Sequence, residues 1–132
     1  MVNFSHTLFY VKDIVKLIDF YEKAFGIKPK FVHESKLYAE LDTGRTSLAF
    51  ADDTLGRENL PEGYIPNDPA QTPSACEIVF TVLDVDHAYK TAVDAGAIAL
   101  VPPKHKPWGQ IVAYVRDPSG ILIEIASPIA TE

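Results

Sequence analysis

Residues 6–14, His-Thr-Leu-Phe-Tyr-Val-Lys-Asp-Ile, are echoed by residues 77–85, Glu-Ile-Val-Phe-Thr-Val-Leu-Asp-Val, at a constant offset of 71. Phe9 answers to Phe80, Val11 to Val82 and Asp13 to Asp84. A repeat of this kind implies one supersecondary unit used twice. Each strand-like run leads into a helical run that a glycine closes, Gly26 in the first half and Gly96 in the second. In the first, Asp13 is placed to cap the helix, and Ile14, Leu17, Ile18, Tyr21 and Phe25 share one face, which predicts a helix over about 13–25. In the second, Asp84 caps a run with Val85, Ala88, Tyr89 and Ala92 at the same spacing, predicting a helix over about 85–95. Three extended runs follow each helix, at 30–34, 37–42 and 45–51 and at 98–102, 110–116 and 121–126. The last two of each set are joined by turn-forming residues, Asp42-Thr43-Gly44 and Asp117-Pro118-Ser119-Gly120. Each half therefore reads βαβββ.

A four-stranded unit with one helix covers only one face of its sheet. The other face must pack on a second sheet or enclose a ligand. The expected fold is α+β, with two βαβββ modules forming a cupped eight-stranded mixed sheet or half-barrel. Residues 52–75 are read as a structureless connector rich in Pro, Asp and Asn, serving as a lid or an ordered linker. Apolar residues at 47% and charged residues at 23% are those of an ordinary globular chain. Twelve Lys and Arg against eighteen Asp and Glu give net charge −6, which supplies no basic stripe for nucleic acid or an anionic membrane. Cys76 has no second thiol to pair with, and the N-terminus shows no signal-peptide pattern, so a cytoplasmic location is expected.

Strand alternation puts His6, Leu8 and Tyr10 on the face away from the first helix, and Glu77, Val79 and Thr81 on the corresponding face of the second half. In the last strand, Ile121, Ile123 and Ile125 suit the helix side, which leaves Leu122, Glu124 and Ala126 facing inward. A carboxylate inside Ile-Leu-Ile-Glu-Ile-Ala needs a cation, a proton or hydrogen-bond donors. His6, Glu77 and Glu124 are the candidate set.

Beyond the paired βαβββ units, three stretches carry a family resemblance. They are the opening Phe-Ser-His-Thr-Leu-Phe-Tyr-Val-Lys-Asp, the helix end Phe-Tyr-Glu-Lys-Ala-Phe-Gly, and the closing Tyr-Val-Arg-Asp-Pro-Ser-Gly-Ile-Leu-Ile-Glu-Ile. Nearly the whole chain resembles the vicinal oxygen chelate superfamily, which takes in glyoxalase I, bleomycin-resistance proteins, fosfomycin-resistance enzymes and extradiol dioxygenases. The resemblance implies a single glyoxalase-like domain over 1–132, with one module at about 4–51, a linker at 52–75 and a second module at about 76–127. It also implies a homodimer. In metal-using members, ligands come from the positions matching His6, a residue near Ala49, Glu77 and Glu124. Here Ala49, or Ser47 beside it, stands where glyoxalase I carries a carboxylate or Gln, and Glu77 stands where His is commoner. These departures count against an ordinary glutathione-dependent glyoxalase I and against an extradiol dioxygenase. His6, Glu77 and Glu124 would still suit a divalent Mn, Zn, Fe or Mg ion, with Glu77 and Glu124 as the catalytic pair.

Each candidate also has a plainer reading. His6 can be a strand histidine bonded to a neighbouring carboxylate, Glu77 a solvated residue at a strand start, and Cys76 a small apolar group. Tyr10, Ala49, Trp108 and Tyr114 are the candidate substrate-binding residues, with Trp108 in Lys-Pro-Trp-Gly-Gln either closing the mouth of a pocket or anchoring a loop. Two functions stay open. One is a metal-dependent lyase or isomerase acting on a carbonyl or vicinal oxygens of a small substrate. The other is a non-catalytic protein that sequesters a small molecule, for which the negative charge favours a cationic ligand.

Overall fold

A computed structural model describes residues 1–129. The elements run β1 (His6–Val11), α1 (Ile14–Phe25), β2 (Pro29–Val32), β3 (Tyr38–Leu41), β4 (Ser47–Asp52), α2 (Asp53–Asn59), β5 (Glu77–Thr81), α3 (Val85–Asp94), β6 (Ile98–His105), β7 (Ile111–Arg116) and β8 (Leu122–Ala126). The strands form two four-stranded mixed sheets, ordered β1-β4-β3-β2 and β5-β8-β7-β6. In each, the strand before the long helix pairs in parallel with the last strand, and the remaining pairs are antiparallel. Two compact units result. The first comprises residues 1–22 and 26–66, and the second comprises residues 23–25 with the chain from Asn67 onward.

In the first unit, the Asp13 carboxylate accepts a hydrogen bond from the Lys16 N–H at 3.1 Å and fixes the start of α1. Gly26 ends the helix at φ 70°, a left-handed conformation that an L side chain resists. The buried face of α1 carries Ile14, Leu17, Phe20, Tyr21 and Ala24, and the Tyr21 ring lies 5.4 Å from that of Phe50 on β4. Phe9, Phe50 and Ala39 share this helix-side row. The opposite, open face carries His6 beside Ser47, then the row Leu8, Ala49, Glu40, then the row Tyr10, Ala51, Tyr38.

The second unit repeats this plan. Asp84 accepts from the His87 N–H at 3.0 Å, and α3 packs on β6, β7 and β8 over the fully buried Val115, Ile123 and Ile125. Phe25, which belongs to this unit, has its ring 4.8 Å from that of Phe80. The open face carries Glu77, Leu122 and Arg116 in one row, Val79, Glu124 and Tyr114 in the next, and Thr81, Ala126 and Val112 in the third. Both halves thus have the predicted order of elements, and Glu124 lies on the face of its sheet away from Ile123 and Ile125.

The connector differs from the sequence expectation, since residues 53–59 form α2. The run Asp-Thr-Leu-Gly-Arg-Glu-Asn has too little apolar periodicity to announce a helix. It is held instead by Asp52, which accepts from Thr54, and by packing on β1 and β4. Tyr64 stacks on Tyr10 at 5.1 Å and donates to Asp53 at 2.7 Å. Farther on, the buried Arg116 guanidinium donates to the carbonyls of Asp68, Pro69, Gln71 and Gly120. The connector is therefore ordered at both ends. β6 also runs to His105, beyond the expected 102, because its pairing with β7 continues to His105 opposite Ile111. Among the described residues no helix is long and apolar enough to cross a membrane.

Candidate functional site

The second unit gathers two of the predicted ligands. Glu77 and Glu124 stand on neighbouring strands, one diagonal step apart, on the open face. At that separation long side chains reach one another. The carboxyl of Glu77 hydrogen-bonds to Glu124, and the Tyr114 hydroxyl donates to Glu124 Oε1 at 3.0 Å. Desolvation, the hydrogen bond to Glu124 and the charge on Glu124 all push the Glu77 carboxyl above the ordinary carboxylate range. Glu77 is exposed as a whole residue, so this shift carries little folding free energy. Tyr114 is pushed up to about 12, by desolvation and then by its bond to Glu124. The arrangement is a pair of neighbouring carboxyl groups, one of which also accepts from a phenol. Val79, Leu122, Ala126 and Val112 around it are apolar.

His6 belongs to the first unit. It is exposed, and its Nδ1 lies 2.6 Å from the hydroxyl of Ser5. The charge of His6 helps hold the Glu40 carboxyl below the ordinary range. The larger causes there are the 2.8 Å hydrogen bond donated by Tyr38, which desolvation opposes, and a further bond from Ser47. Glu40 is a site residue that the sequence reading missed. It lies directly opposite Ala49, and Ala49 holds in its sheet the place that Glu124 holds in the other, since each is paired between the first strand and the antiparallel neighbour. An acid–phenol pair thus occurs on both open faces, Tyr38 with Glu40 and Tyr114 with Glu124, carried by different strands. Alternation in Tyr-Ala-Glu-Leu put Tyr38 and Glu40 on one face, but only the register of β3 on β4 shows that this face is the one holding His6.

The other predicted residues are dispersed. Tyr10 lies under Tyr64, with its hydroxyl 3.3 Å from the Asn59 amide nitrogen. Ala49 is fully buried. Trp108 stands at the tip of the β6–β7 hairpin, its indole N–H donating to Gln110. Cys76 is exposed and free.

Residues 3–125 match the Glyoxalase/Bleomycin resistance protein/Dioxygenase superfamily. The chain belongs to that superfamily. YraH of Bacillus subtilis strain 168, an uncharacterized protein, is 29% identical over 119 residues, covering 87% of this chain and 90% of YraH. Among solved structures, a glyoxalase-related enzyme from Fulvimarina pelagi is similar, with TM-score 0.82 and 21% identity, covering 97% of this chain and 89% of its own. TioX from Micromonospora sp. ML1 has TM-score 0.69 and 22% identity, covering 96% of this chain and 98% of its own. At these identities the solved structures speak for the fold alone.

Superfamily membership raises the question of a divalent ion. Glu77, Glu124 and Tyr114 offer hard oxygen donors to such an ion. Among the described residues, however, no three His, Cys, Asp or Glu side chains are gathered as a metal-ligating group. The donors present therefore fit two of the three expected ligands.

Proposed function

We propose that this chain binds a small molecule through the Glu77–Glu124 pair on the open face of the second unit, without covalent chemistry. The observation that carries this reading is the hydrogen-bonded acid pair itself. Two carboxyls brought together repel one another when both are charged, so the pair favours a ligand that brings a positive charge or N–H donors. Its apolar surroundings suit an organic body, and its oxygens suit an ammonium, amidine or other N–H donor on that body. The net charge of −6 favours the same class of ligand. The superfamily takes in bleomycin-resistance proteins, which is in keeping with such a role.

Benzamidine, an apolar ring bearing an amidinium, is a direct probe. It should raise the melting temperature of the native protein, and Glu124→Gln should weaken the response at least tenfold. Tyr114→Phe should weaken it less, because Tyr114 donates to Glu124 and carries no charge of its own to attract the cation. Equal responses from the native protein and Glu124→Gln would remove this reading.

A second reading is favoured by the same contact, because two neighbouring carboxylates suit a hard divalent ion. Here Glu77 and Glu124 would contribute two ligands to Mn, Zn, Fe or Mg in a lyase or isomerase of the glyoxalase type. When bound, such an ion supplies Lewis-acid polarisation of a substrate carbonyl or vicinal oxygen pair. Glu77 or Glu124 would be the group placed to relay a proton. Protein purified without chelators or nickel resin should then contain metal on elemental analysis. Added Mn or Zn should raise its melting temperature and release protons, and Glu124→Gln should abolish these effects. Metal content and metal response unchanged in Glu124→Gln would end the metal reading and leave the binding one.

For the assembly, superfamily membership supports a homodimer. Sedimentation equilibrium giving 14.6 kDa over a wide concentration range would overturn it. The lone free thiol of Cys76 supports a reducing, cytoplasmic setting.

A further inference from the structure

We propose that the tip of the β6–β7 hairpin, residues 104–109, is a docking surface for an acidic segment of a protein partner. Between Asp94 and Asp117 the sequence has no Asp or Glu, while Lys104, His105 and Lys106 cluster there in a chain of net charge −6. The hairpin is thus a cationic island on an acidic protein. Trp108 projects from its tip with 62% of its surface exposed. Leaving an indole in water forgoes the stabilisation that burial would give, so its position needs a reason beyond folding.

The indole is also held in place. Its N–H donates to Gln110 Oε1 at 2.8 Å, and the Gln110 amide donates in turn to the Ser127 carbonyl at 2.8 Å. Ser127 anchors the hairpin base by accepting from the Ile111 N–H at its hydroxyl and by donating its own N–H to the Ile111 carbonyl. The turn is closed by Lys106 N–H to Gln110 and by Gly109 N–H to Lys106. An exposed aromatic whose polar end is satisfied and whose orientation is set loses little freedom on binding. Such residues dominate interface energetics.

The neighbouring strand shows how a partner would attach. β6 is an edge strand with Ile98 and Leu100 exposed, yet Pro102 and Pro103 remove two N–H groups, and its pairing with β7 shifts register twice. Such an edge resists extension by another strand. Contact would run through side chains, with Trp108 as the apolar anchor and Lys104 and Lys106 meeting carboxylates. A narrow acidic segment touches only this island. A broad anionic bilayer would face the acidic remainder of the molecule as well.

Trp108 is the sole tryptophan, so its emission reports on this surface directly. The probe is a 12-residue peptide alternating Glu with Leu. It should shift Trp108 emission saturably, and raising salt to about 0.5 M should weaken binding about tenfold. Replacing both Lys104 and Lys106 by Glu should weaken binding at least tenfold. Trp108→Ala, followed by anisotropy of the labelled peptide, should weaken it to a similar degree. These side chains are solvent-facing or lie at the hairpin tip, and circular dichroism would verify that each variant stays folded. An unmoved emission, native-like binding by these variants, or an equal shift with phosphatidylserine vesicles would overturn the proposal.

Discussion

At Gly56, in the middle of α2, an added Cβ would lie 2.8 Å from the Tyr10 ring and 2.6 Å from the Tyr64 hydroxyl. Ala is a better helix former than Gly by up to about 1 kcal/mol, but here Tyr10 is clamped by the Tyr64 stack and has little room to yield. Gly56→Ala should therefore destabilise the protein by about 1–3 kcal/mol in a denaturant titration, and a gain in stability would contradict this packing. The two acids give opposite signs in pH dependence. The raised pKa of Glu77 means that its contribution is present below the unfolded value of 4.5 and is lost as pH rises through the folded value. Glu77→Gln should accordingly raise the melting temperature at pH 7 by a small amount relative to the native protein, since Glu77 is exposed, with the difference fading in acid. Glu40 is held low, so its contribution is present above 4.5 and is lost as pH falls through its folded value. Glu40→Gln should lower the melting temperature at pH 7, and that difference too should fade in acid. Melts of both variants across pH check the pair, and equal signs at neutral pH would refute it.

Among the elements, α1 and α3 start at carboxylates that accept from the third helical N–H, Asp13 from Lys16 and Asp84 from His87. Asp13→Ala and Asp84→Ala should each cost about 0.5–2 kcal/mol in chemical denaturation. The connector depends on a different device. Arg116 reaches four backbone carbonyls with its planar fork, and Gly120 must lack a Cβ because Asp68, Pro69 and the guanidinium all lie within 2.9 Å of where one would stand. Arg116→Lys keeps the charge but cannot make that fan of hydrogen bonds, so it should cost about 1–3 kcal/mol. Hydrogen exchange should show the backbone around 68–71 losing protection first. The helical and strand periodicities that announced α1, α3 and the eight strands are local, and both caps were visible in the sequence for the same reason. Neither α2 nor the Arg116 contacts had such a signal, because each depends on residues distant in sequence.

For the whole molecule, an acidic excess sets both solubility and the class of ligand attracted. With a pI near 5.1, concentrated protein should be most turbid around that pH and clear at pH 7 and above. Light scattering across pH checks this. The duplicated βαβββ order, the two capped helices and the sheet face that carries Glu124 followed from the sequence alone. They rest on periods of 3.6 and 2 and on an echo that any copy of the unit must repeat. That Glu77 bonds to Glu124, that Tyr38 and Glu40 answer to Tyr114 and Glu124 across different strands, and that Arg116 gathers the connector were decided only by the tertiary structure. Strand register and chain crossing bring together residues far apart in sequence, and no local pattern encodes which of them will meet.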